Sequence, residues 1–180
     1  MSTYYPTSCA EETPNHFCDP CADDEHGRVR SVALINKDFV FVNPSNSQEW
    51  IDGINSGDII IIAETNGSFD GGTPKVGPGY GDTTETYLGS DFVLKFKDPN
   101  YKQNCVFYNA INRSRKWKVA YRTETLIHIG DKTASINAKP GVLDELTSTV
   151  VWDVEAKWAS SNIPCPYDMP DGVFTCFLQD

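Results

Sequence analysis

The sequence predicts a mainly β protein: an antiparallel β-sandwich or barrel with one or two short helices packed on its side and an extended N-terminal arm. Three observations point there. Short runs rich in Val, Ile, Phe, Tyr and Thr recur from residue 28 onward and are punctuated by clusters of Gly, Pro, Asn and Asp. Residues 147–158 alternate Val150, Trp152, Val154, Ala156 and Trp158 with Val151, Asp153, Glu155 and Lys157, the period of a long amphipathic strand. Apolar residues at helical spacing occur in only two segments, near Trp50 and near Tyr108.

The 180 residues divide into an arm, 1–27, and one domain, 28–180, a size that supports an ordinary core. Four Trp, nine Phe and eight Tyr place the domain far from a disordered composition. The arm is different. It carries Glu11, Glu12, Asp19, Asp23, Asp24 and Glu25 with no Lys or Arg, six of the net ten negative charges. Residues 99–123 hold Lys102, Arg113, Arg115, Lys116, Lys118 and Arg122, and no acid before Glu124. Opposite charge on two parts of one chain favours one docking register between copies. Arg113, Arg115, Lys116 and Lys118 are therefore the expected self-assembly residues.

Along the domain, residues 28–35 and 39–42 read as an opening hairpin connected by Asn36, Lys37 and Asp38. Ser45 through Gln48 has the capping-box spacing before Trp50, Ile51 and Ile54, which predicts a short helix ending between Gly53 and Gly57. Residues 59–63, four Ile and an Ala, read as a central strand buried on both faces. Residues 66–82 are Gly- and Pro-rich and read as a long irregular loop reaching a neighbouring subunit. Two strands, 83–88 and 92–97, follow, with Leu94 and Phe96 opposite Lys95 and Lys97. A helix capped by Asp98, with Pro99 at its first position, carries Tyr101, Cys105 and Tyr108. Residues 117–122, 125–129 and 133–138 read as a meander that turns at Gly130, Asp131 and Lys132.

A net charge of −10 argues against tight nucleic-acid binding, where Lys and Arg supply the affinity. No apolar run reaches the ~20 residues of a membrane helix, and the N-terminus lacks the order of a signal peptide, so the expectation is a soluble, cytoplasmically made protein with no membrane partner.

Cys18 and Cys21 form a Cys-x-x-Cys beside Cys9 and His16, in the segment least able to fold alone. A structural zinc held by Cys9, His16, Cys18 and Cys21, with Cys165, Cys176 or His26 as alternative ligands, would supply the missing stability. Free thiols and disulfides remain open. His128 reads as a satisfied structural histidine. Asp153 and Glu155 read as the solvated or intersubunit face of their strand rather than a glycosidase pair. No nucleophile elbow, triad or phosphate loop is present, so no catalytic residue is assigned and the chain is read as a non-enzyme.

Asp70-Gly71-Gly72, Gly79-Tyr80-Gly81, Asp98 to Tyr101 with Asn104-Cys105, Tyr121 to Thr123, Val150 to Val154 with Lys157-Trp158, and Pro164 to Asp168 together resemble virion structural proteins of tailed bacteriophages of Bacteroidetes, including the crAss-like group. The likeness spans most of residues 28–176. The order of elements also resembles the phage tail-tube fold. That resemblance implies a virion protein assembled in the host cytoplasm, forming rings or tubes with itself and other virion proteins, through which DNA passes without sequence-specific binding. An auxiliary capsid, decoration or head-fibre attachment protein would use the same features. A carbohydrate-binding module is a further alternative, and it requires Trp50, Trp117 or Trp158 on the surface.

Overall fold

The computed structural model describes residues 16–18, 21 and 24–176. Within them ten strands and two helices follow in the order β1 (Ser31–Asn36), α1 (Ser47–Ser56), β2 (Ile59–Ile62), β3 (Asn66–Phe69), β4 (Thr73–Pro78), β5 (Glu85–Asp98), α2 (Cys105–Ile111), β6 (Trp117–Arg122), β7 (Leu126–Thr133), β8 (Ser135–Gly141), β9 (Val151–Ser160) and β10 (Pro166–Asp168). All strand pairs are antiparallel, in two sheets. The first has the order β10-β7-β6-β1-β2 and the second β3-β5-β9-β8, with β4 also on β5. The expected mainly β sandwich is the fold.

Strand periodicity sorts side chains into two apolar layers. Val32 and Leu34 of β1, with Val119 and Tyr121 of β6, meet Phe92, Leu94 and Phe96 of β5 and Trp152, Val154 and Trp158 of β9 between the sheets. Phe69, Phe92 and Trp158 stack there, with ring centroids 5.5 to 5.9 Å apart. The other face of β1 sends Ala33 and Ile35 into a second layer with Trp50 of α1, Ile59, Ile61, Ile127, Val173 and Phe174. Helix α1 and the C-terminal segment thus cover the outer face of the first sheet. Asn46, rather than Ser45, caps α1 by accepting from the Gln48 amide, and Glu49 reaches back to the amides of Val42 and Asn43. The helix ends at Gly57, φ 80°, as the Gly53–Gly57 expectation had it.

Several expectations are corrected. Residues 39–42 form no strand, because both edges of β1 are taken by β2 and β6. Their alternation is real but local: Phe39 and Phe41 pack toward Trp50, while Val40 and Val42 face solvent. Strand β2 touches both apolar layers as expected, yet it ends the described sheet order, and the buried strand is its neighbour β1, paired on both edges. The supposed irregular loop 66–82 contains β3 and β4, which lie end to end along one edge of β5. The expected strands 83–88 and 92–97 merge, from residue 85 onward, into one 14-residue strand, bent at Gly89, φ 106°, opposite a register shift between Lys75 and Val76. Gly130, Asp131 and Lys132 lie inside β7, and β8 leaves the meander to pair with β9 in the other sheet.

Asp98 does not cap a helix. It ends β5 almost fully buried, and its carboxylate accepts from the Tyr108 hydroxyl (2.7 Å), the Asn104 side-chain amide (2.9 Å) and the Asn100 backbone N–H (3.0 Å). The chain wraps this carboxylate before α2 begins at Cys105. Burial, then the neighbouring Asp98 carboxylate, push the Tyr108 hydroxyl pKa well above its ordinary value, so it stays a donor.

Candidate assembly surfaces

The register of β9 fixes two opposite ends of the second sheet. Ser160 pairs with Ser90 at one end; at the other, Trp152 pairs with Asp98 and Val151 with Gly141. The ten residues of β9 separate these ends by roughly 30 Å at the ordinary rise per strand residue. Each end carries exposed apolar side chains.

At the Ser90 end, β5 runs on past β9 and, among the described residues, is accompanied only by β4, as far as the Glu85–Pro78 pair. The resulting hairpin presents Val76, Tyr80, Tyr87 and Leu88, which are 56%, 89%, 53% and 65% exposed. The sequence holds it in place. Gly77 leaves room for Leu88, and a Cβ on Gly79 would collide with the Thr83 carbonyl, so only glycine fits the tip. Lys75 pairs with Asp91 at 2.7 Å where the hairpin joins the sandwich. Pro74 and Pro78 lie on β4, where missing N–H groups discourage another strand from adding. Contact with a partner is thereby directed to the side chains. At the opposite end, the connection 142–150 between β8 and β9 exposes Val142 (66%), Leu143 (63%) and Leu146 (107%). Sequence reading missed these apolar groups, since Leu143 and Leu146 sit among Asp144, Glu145 and Thr147 and give no periodic signal.

The expected self-assembly cluster is only partly a surface. Arg113, Arg115 and Lys116 are exposed in the connection from α2 to β6. Arg115 donates to the carbonyls of Asn112 and Ser114 beyond α2, and the Lys116 ammonium lies 4.9 Å over the Trp117 ring. Lys118 is committed within the chain: its ammonium donates to the Phe39 carbonyl at 2.9 Å, and burial pushes its pKa down.

Cys9 lies outside the described residues. His16, Cys18 and Cys21 are exposed, and among the described residues no group of three or more His, Cys, Asp or Glu side chains could hold a metal. Neither His26 nor the exposed Cys165 and Cys176 completes one there. Instead one carboxylate of the acidic N-terminal segment is held by the β6–β7 connection. Glu25 accepts from the Thr125 amide (2.7 Å) and hydroxyl (2.6 Å) and from the Thr123 hydroxyl (2.7 Å), and these bonds, the Thr125 hydroxyl foremost, bring its pKa down to about 2.

His128 stacks on Tyr121, centroids 4.7 Å apart, and its Nδ1 is buried without a partner among the described residues. Burial pushes its pKa down. Glu155 stands between Lys157 (3.0 Å) and Lys95 (3.6 Å) on the outer face of the second sheet, the solvated-face role expected for it and Asp153. Trp50, Trp117, Trp152 and Trp158 are all at most 6% exposed, so they cannot form the flat platform a carbohydrate-binding module would need.

Fold and surfaces together define an antiparallel β-sandwich with a projecting hairpin. No family model, curated protein or solved structure matches the chain.

Proposed function

We propose that this chain is a non-enzymatic structural protein of a tailed-bacteriophage virion, a subunit that assembles head to tail into a tail tube or tail ring forming part of the DNA conduit. One observation carries the reading: exposed apolar groups on the β4–β5 hairpin at one end of the second sheet, and on residues 142–150 at the other. A two-stranded ribbon gains little stability on its own in water, and it is expected to pack against something. Unlike patches at opposite ends of one subunit meet in a heterologous contact, which repeats into rings or stacked filaments. The net charge of −10 suits a conduit wall that does not retain phosphates.

Negative-stain electron microscopy of the purified chain over a range of concentrations tests the proposal. Closed rings or stacked tubes are expected. Dispersed monomers throughout would contradict self-assembly and move the assignment to a capsid decoration protein that needs an existing lattice.

A further inference from the structure

Where the edges of the two sheets meet, beside the Val29–Gly67 bridge, the surface opens into a cleft of about 460 Å³. Its walls bring together Arg28 and Arg30 from the segment leading into β1, Lys97 from the end of β5 and Arg122 from the end of β6. Glu64 is the only acid among the described residues that line it. Arg30 is tied to Glu124 at 3.6 Å, but no ion pair among the described residues involves Arg28, Lys97 or Arg122.

Two groups on this wall are unmet. The Nε of Arg122 and the hydroxyl of Thr65 are buried and have no hydrogen-bond partner among the described residues, although such atoms in folded chains nearly always find one. Burial, and then the guanidinium of Arg30, push the pKa of Arg122 down. Cations gathered from three separate elements around one carboxylate, with two unused donors among them, are the complement of an anion. Guanidinium forks match the paired oxygens of a carboxylate or phosphate.

We propose that this cleft is an oxyanion-binding site, in which Arg122 and Thr65 form the floor and Arg28, Arg30 and Lys97 the rim. The site is independent of the assembly reading and does not require it. It accounts for Arg122 differently from the sequence pattern, which grouped it with Arg113 to Lys118 as one basic stretch; the fold sends it to a cleft of its own.

Titration of the full chain with inorganic phosphate, and separately with glutarate, followed by backbone amide shifts at ionic strength held constant with sodium chloride, tests this. Saturable shifts at Arg30, Thr65 and Arg122 are expected with at least one of the two. Phosphate saturation alone would identify a phosphate group as the occupant, and glutarate saturation a carboxylate such as those of an acidic segment. The dissociation constant should weaken at least tenfold in R122Q. Because Arg122 is half-buried, the double variant R28Q/K97Q at exposed rim positions provides a second reading and should weaken binding several-fold with the fold intact. Shifts that fail to saturate, that chloride reproduces, or that R28Q/K97Q leaves unchanged would overturn the site.

Discussion

Single carboxylates do unlike work in this molecule because their surroundings differ. Asp98, buried, is satisfied by three donors and ties the end of β5 to α2. Changing Tyr108→Phe removes one donor and should lower stability by about 1–3 kcal/mol, read from the urea midpoint. Glu25 is fully exposed, and it ties residues 24–27 to the threonines of the β6–β7 connection. Its folded pKa of about 2 lies below the ordinary 4.5, so its contribution is fully present above about pH 4.5 and is lost as pH falls through 2. Titration of the Glu25 carboxyl by NMR should give a midpoint near 2 in the parent and a return toward 4.5 in Thr125→Val. A midpoint near 4.5 in the parent would mean that Glu25 is not held by Thr123 and Thr125.

At the scale of elements, the β4–β5 hairpin and the sandwich should respond separately to substitution. Gly79→Val places a side chain where the Thr83 carbonyl already stands, distorting the tip. Neither apolar layer includes a residue from 73–91, so urea stability should fall by less than about 1 kcal/mol while self-association is lost. Phe92→Ala, at the centre of the aromatic stack, should instead cost about 3–5 kcal/mol. The same division explains what the sequence made legible. Period-two patterns in 92–97 and in 151–158, and the capped helix near Trp50, have one face in a core, and the apolar code survives there; the expected strand 147–158 starts only at Val151, its first four residues belonging to the connection from β8. Strands β3 and β4 carry almost no such code: they are largely exposed, rich in Gly and Pro, and gain their order from the ladder of β5. Residues 39–42 err in the opposite direction, with strand-like alternation satisfied by packing against Trp50 rather than by pairing. The exposed Leu146 and the cleft around Arg122 are products of chain reversal and sheet edges, to which neighbouring residues in sequence give no clue.

For the whole molecule, the central proposal is a heterologous contact between the hairpin of one copy and the 142–150 connection of the next. Charge remains relevant as a modulator: with Lys118 engaged by Phe39, reversal of Arg113, Arg115 and Lys116 to Glu should weaken association chiefly at low salt. The most direct measurement mixes two variants, Y80D/L88D with a spoiled hairpin and L143D/L146D with a spoiled connection, and follows their masses in sedimentation velocity. Each variant alone should remain monomeric, and the mixture should stop at heterodimers, because one intact hairpin can meet one intact connection and no further copy can add. Oligomers formed by either variant alone, or a mixture that stays monomeric while the parent assembles, would contradict head-to-tail assembly through these two surfaces.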